Sequence, residues 1–146
     1  MSIHFEHSVD VARTPEQAFA VLDDFSMTPK WLKRCVHLEP LLPGPHSVGM
    51  KLRYDYRDGG RRGTMEGEIV ERAPSERLKM RYSDEAMEVT VDFRIARTDS
   101  GARLTHAIDI TPKAVMARLF SPIIRSQLPK QTIAAMETLR GLLEAV

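Results

Sequence analysis

Between Val48 and Ile110 the chain changes character at almost every residue. Val48, Met50, Leu52, Tyr54 and Tyr56 alternate with Gly49, Lys51, Arg53, Asp55 and Arg57. Alternation with period two puts the apolar set on one face of an extended strand and the charged set on the other. Asp58-Gly59-Gly60 then supplies a hairpin turn. Gly63, Met65, Gly67 and Ile69 return opposite Thr64, Glu66 and Glu68. After a turn at Pro74-Ser75, Leu78, Met80 and Tyr82 mark a shorter strand. Met87, Val89, Val91, Phe93 and Ile95 mark another, and Asp99-Ser100-Gly101 closes the next hairpin. Ala102, Leu104, His106, Ile108 and Ile110 share the apolar face of the last strand. A chain so patterned is committed to antiparallel sheet, and each apolar face must be covered.

The flanks supply the cover. Residues 3–12 alternate, with Ile3, Phe5, His7, Val9 and Val11 on one face. Thr14-Pro15-Glu16-Gln17 joins a cap-type Thr, a first-turn Pro and an early acid, so a helix starts there. Ala18, Phe19, Val21, Leu22 and Phe25 continue at helical spacing, and Asp23-Asp24 sets the end near Phe25. Residues 28–33 read as a second short helix. Pro40, Pro43, Gly44 and Pro45 break the chain into a loop. From Pro112 onward the chain reads as helix. Val115, Met116, Leu119, Phe120, Ile123, Ile133, Met136, Leu139 and Leu143 form its expected apolar stripe. Ser121-Pro122 reads as a cap with a first-turn Pro, and Pro129 implies a kink or a second start.

Composition excludes several alternatives. At 146 residues, one domain over 1–146 is expected, large enough to fold without disulfide or metal. With 42% apolar residues and a net charge of +1, disorder is a poor reading. Near-neutral charge also argues against a nucleic-acid partner. The longest apolar run, Ala18 to Leu22, is far short of the ~20 residues that span a bilayer. One cysteine, no Asn and an N-terminus unlike a signal peptide point to a cytoplasmic setting.

Six or seven strands and one long apolar helix have an economical solution: a curved antiparallel sheet gripping that helix. The expected class is α+β. At this point the chain resembles a known group. Thr14-Pro15-Glu16-Gln17-Ala18-Phe19, then Val21-Leu22-Asp23-Asp24-Phe25 with Pro29 and Trp31, are similar to the first helices of the START-like (SRPBCC) superfamily. Val48-Gly49, Glu71-Arg72-Ala73-Pro74 and Gly101-Ala102-Arg103-Leu104-Thr105 match its habits too. The group includes polyketide cyclase/dehydrase-type proteins, Bet v 1-like allergens, coenzyme Q-binding proteins and lipid-transfer domains. The resemblance covers the whole chain through structural motifs. It implies a helix-grip fold with a cavity between sheet and C-terminal helix for a hydrophobic lipid, quinone or polyketide-like ligand.

Against that frame the candidate chemistry is sparse. The histidines at 4, 7, 37, 46 and 106 form no metal-ligand spacing, and no metal or cofactor is expected. His7 and His106 fall on apolar faces and fit either hydrogen-bonded core groups or polar groups in a cavity. For His106, Tyr54 and Tyr56 are possible partners. Tyr54, Tyr56 and Tyr82 face inward, as do Met50, Met65, Met80 and Met87, while Met116 and Met136 lie on the helix. Methionine suits either a soft core or an adaptable ligand wall. Cys35 follows Arg34, which lowers a thiol pKa where the charge reaches it, and is read as a buried or loop thiol. The expected ligand-binding set is His7, Met50, Tyr54, Tyr56, Met65, Met80, Tyr82, Phe93, His106 and Met136. No catalytic residue is legible. The leading expectation is a binding protein. A cyclase/dehydrase-type enzyme promoting aldol condensation or dehydration, and a non-catalytic delivery module, remain alternatives, with a homodimer left open.

Overall fold

The computed structural model describes residues 2–58 and 60–145; Met1, Val146 and Gly59, at the expected hairpin turn, lie outside the described residues. The chain runs β1 (Ile3–Val11), α1 (Pro15–Asp23), α2 (Thr28–Trp31), β2 (Cys35–Pro40), β3 (Lys51–Asp58), β4 (Arg61–Ala73), β5 (Arg77–Ser83), β6 (Met87–Thr98), β7 (Gly101–Pro112), α3 (Val115–Leu119) and α4 (Ser121–Glu144). The strands form one antiparallel seven-stranded sheet in the order β1-β7-β6-β5-β4-β3-β2. Hairpin succession orders β2 to β7, and β1 closes on β7 in unbroken register from Ile3↔Ile110 to Val11↔Ala102. This is the helix-grip fold.

The alternating pattern becomes a two-faced sheet. Its outer face carries cross-strand pairs: Lys51 with Glu68, Arg77 with Asp92, Arg94 with Glu6, and Arg103 with Asp10. Its inner face carries Leu52, Ile69, Leu78, Leu104 and Ile108, all fully buried. α1 begins as expected. Thr14 Oγ1 accepts from Gln17 N–H, and Gln17 Oε1 accepts from Thr14 N–H. This helix ends two residues before Phe25. There Asp24 Oδ1 accepts from both the backbone N–H and the hydroxyl of Ser26, and the resulting turn competes with further helix.

Four expectations need correction. The segment before Pro40 holds a strand, β2, on the sheet edge. A bulge between Cys35 and His37 breaks the alternation, leaving Cys35 and Leu38 as its buried residues, so the period-two signal is absent. Val48 precedes β3 and is exposed. α4 runs unbroken through Pro129, losing only the hydrogen bond its nitrogen would donate. Ser121 lies inside the helix and makes no capping hydrogen bond, so it is not the cap.

The helical stripe also differs. The buried residues of α4 are Ser121, Leu128, Thr132, Ala135, Met136, Leu139 and Leu143. Val115, Met116, Leu119, Phe120, Ile123 and Ile133 are exposed. The cause lies beneath the helix. Its C-terminal half packs on the main core with Val9, Val11, Ala18, Leu22 and Leu104. Beneath α3 and the first turns of α4 there is a cavity.

Candidate ligand-binding cavity

The cavity lies between the inner face of the sheet and a cover made by α2, α3 and α4. Its volume is about 660 Å³, within the roughly 300–1,000 Å³ typical of small-molecule sites. Of the ten residues expected to meet a ligand, Tyr54, Tyr56, Met65, Met80, Tyr82, Phe93 and His106 line it. The other three lie elsewhere. Met136 is fully buried in the packed core, because it sits on the half of α4 that has a partner. Met50 lies ahead of β3 and packs against the core edge. His7 pairs with His106 across β1 and β7 but does not line the cavity.

Two aromatic groups shape the walls. Trp31 meets Phe93 edge-on at 5.7 Å between ring centroids, and Phe93 stacks on His106 at 4.4 Å. On the far side Tyr54 contacts Tyr82 at 4.9 Å and Tyr56 at 6.0 Å. Two glycines allow the tyrosines to lie flat across the sheet. A Cβ on Gly67 would sit 2.5 Å from the Tyr82 ring, and one on Gly63 would sit 2.6 Å from the Tyr56 hydroxyl. Both are directly opposite their tyrosines in the strand register. Such surfaces suit a flat, ring-containing molecule.

Several polar groups in these walls have no partner among the described residues: both His106 nitrogens and Trp31 Nε1 are buried without a hydrogen bond. Burial, with a smaller contribution from the Arg34 charge, pushes the His106 pKa down to about 3, so the ring is neutral near pH 7. The expected Tyr54 or Tyr56 partner is not found, since β3 lies four strands from β7 in the sheet. Arg34, just ahead of β2, also lines the cavity. Its Nη1 donates to Gln131 Oε1 at 2.9 Å, and Gln131 Nε2 donates to Asp58 Oδ1 at 3.3 Å. This relay ties α4 to β3 and leaves the guanidinium without a carboxylate partner among the described residues. Burial pushes the Tyr54 phenol up to about 12, against the opposing Arg34 charge. Tyr82, fully buried, is raised further still by the same cause.

Sequence reasoning missed Arg34, Trp31 and Gln131 as cavity residues. Arg34 stands before a strand whose pattern is hidden, and Gln131 is brought to the cavity where α4 meets Arg34 and Asp58. In the sequence Arg34 stands out only as the charge beside Cys35. That thiol is buried, and desolvation pushes its pKa up to about 12 despite Arg34. It is therefore a packed, protonated thiol.

The geometry defines a class: helix-grip proteins that enclose an apolar, aromatic-walled cavity beneath the C-terminal helix. The chain belongs to the polyketide cyclase / dehydrase and lipid transport family, whose model matches residues 2–144. Solved structures agree on the fold. An aromatase/cyclase from a Streptomyces species superposes with a TM-score of 0.82 at 17% identity, covering 99% of this chain and 94% of that one. A START superfamily protein from Mycobacterium smegmatis gives 0.80 at 16% identity, covering 97% of each. The allergen Ara h 8.0201 gives 0.74 at 14% identity over both full chains. No curated protein sequence matches the chain significantly.

Proposed function

We propose that the protein binds a flat, mainly apolar molecule that carries oxygen acceptors, such as a quinone or an aromatic polyketide-like compound. The observation that carries this reading is the imbalance in the wall. Trp31 Nε1–H, the single N–H of neutral His106 and the Arg34 guanidinium are donors, with Trp31 and His106 unpaired among the described residues inside a mainly apolar site. A buried donor left unmatched costs about 1–3 kcal/mol, so a carbonyl or phenolate that accepts from it is favoured over a plain hydrocarbon. The aromatase/cyclase neighbours and the family description support the same ligand class.

A cyclase/dehydrase-type reaction is the second reading, favoured by one feature. Arg34 could stabilise an enolate while neutral His106 holds or accepts a proton. His106 has no hydrogen-bonded partner to orient it, so binding comes first.

The test uses anthraquinone and anthracene, which share a ring skeleton and differ in the carbonyls. Trp31, the only tryptophan, reports occupancy by fluorescence quenching. Anthraquinone is expected to bind about tenfold or more tightly, and His106→Phe or Arg34→Met to reduce that preference. Equal affinities in the unmodified protein would reject the reading.

A further inference from the structure

The segment over the cavity mouth differs from the rest of the surface. From residue 110 to residue 136 the chain carries Lys113, Arg118, Arg125 and Lys130 and no Asp or Glu, although the whole chain has 20 acids against 21 basic residues. On the outer sheet face arginines are matched with acids. Among the described residues none of these four cations is paired with a carboxylate; Lys113 donates to Ser83 Oγ at 2.9 Å instead. Among them stand Val115, Met116, Leu119, Phe120 and Ile123, all exposed, with Val115 at 69% and Leu119 at 67%. Exposed apolar residues normally occur singly, so five within nine residues form a patch.

Arg118 and Arg125 also line a surface depression with Pro112, Ser121 and Pro122. Met116, Phe120 and Ile123 belong both to the exposed patch and to the mouth of the large cavity. The acids at this end of the sheet are few. Asp58 accepts from Gln131, and Asp84 accepts from the backbone N–H groups of Ala86 and Met87. Glu85 in the β5–β6 turn is outnumbered by Arg61 and Arg62 of the β3–β4 hairpin.

We propose that this face docks on an anionic phospholipid bilayer. The apolar patch enters the boundary between headgroups and acyl chains, and the depression between Arg118 and Arg125 takes lipid phosphate. Lys113 and Lys130 add to the attraction toward a negative surface. A second copy of the chain fits poorly, because a two-fold contact would set the unpaired cations of one patch against those of the other. Docking would bring the cavity mouth against the apolar layer. On the ligand reading above, an apolar molecule then passes between bilayer and cavity without crossing water.

Co-sedimentation of the full chain with vesicles tests this. Neutral phosphatidylcholine vesicles are compared with vesicles holding about 30 mol% phosphatidylserine. Binding is expected on the anionic vesicles, weakening about tenfold or more between about 0.1 M and 0.5 M salt. Arg118→Gln with Arg125→Gln should weaken it about tenfold or more, and Val115→Ser with Leu119→Ser should abolish it. None of these four residues lines the ligand cavity, so anthraquinone quenching and the thermal midpoint of each variant should stay as in the parent. Absence of vesicle binding, equal binding to both vesicle types, or full binding by the arginine variant overturns the proposal. Dimers that the Val115/Leu119 variant disrupts, without vesicle binding, would assign the patch to a second copy and overturn it too. Vesicle binding without anthraquinone binding would keep docking and reject the ligand reading alone.

Discussion

The two halves of α4 are built from similar residues and meet different surroundings. From Thr132 to Leu143 the helix buries Thr132, Ala135, Met136, Leu139 and Leu143. It shares one core cluster with Val9 and Val11 of β1, Leu104 of β7, and Ala18 and Leu22 of α1. Before Thr132 the same helix exposes Ile123 and lines the cavity with Ile124, Gln127, Leu128 and Gln131. Apolar content therefore does not decide which part of the helix is core; the depth of the sheet beneath it does. One half supplies stability, and the other is left free to meet a ligand or a surface.

The sharpest way to break this comparison is to truncate one apolar residue from each half. Leu139→Ala should cost about 2–5 kcal/mol in urea unfolding, because a fully buried leucine leaves a cavity its neighbours fill only in part. Ile123→Ala, at 51% exposed, should stay within about 0.5 kcal/mol. Similar losses at both positions would show that the halves are equally packed.

His106 provides a second measure. Its folded pKa is depressed to about 3 from the ordinary histidine value of 6.5. The unfolded chain therefore takes up the proton first as pH falls. The contribution is present above about pH 6.5 and is lost on acidification toward about pH 3, at up to about 1.4 kcal/mol per pH unit. Denaturant unfolding across that window should show a shallower slope in His106→Phe. An unchanged slope would mean that the ring is not held neutral at the cavity wall.

Gly67 sharpens the cavity side of the comparison. Gly67→Ala puts a methyl 2.5 Å from the Tyr82 ring and 3.2 Å from Leu52 Cβ. The ring must tilt into the cavity, at a cost of about 1–3 kcal/mol. Anthraquinone affinity should fall in this variant, whereas Leu139→Ala at the packed end should leave it near the parent value. The reverse pattern would place the ligand outside the cavity described.

Much of the architecture is legible in the residues. Period-two alternation marks β1 and β3 to β7, and Thr14-Pro15-Gln17 marks the start of α1, because these signals depend on near neighbours. β2 is hidden because its bulge destroys the period. The cavity wall is legible wherever an inward strand face crosses it, as at Tyr54, Met80 and His106. It is hidden where two distant segments meet, as in the Arg34–Gln131–Asp58 relay.

The chain's own pattern determined the two-faced antiparallel sheet, the capped first helix and the acid-free, basic stretch from residue 110 to residue 136. Local periodicity and charge can be read without knowing what lies opposite. Tertiary structure decided which apolar residues are core. Met136 and Met80 are both inward-facing methionines, yet one is sealed beneath α4 and the other borders the cavity. Among the described residues, tertiary structure also left His106 without a hydrogen-bond partner and Arg34 bonded to Gln131 rather than to a carboxylate. Burial and pairing depend on the separation between sheet and helix at each point, a distance that no stretch of sequence carries.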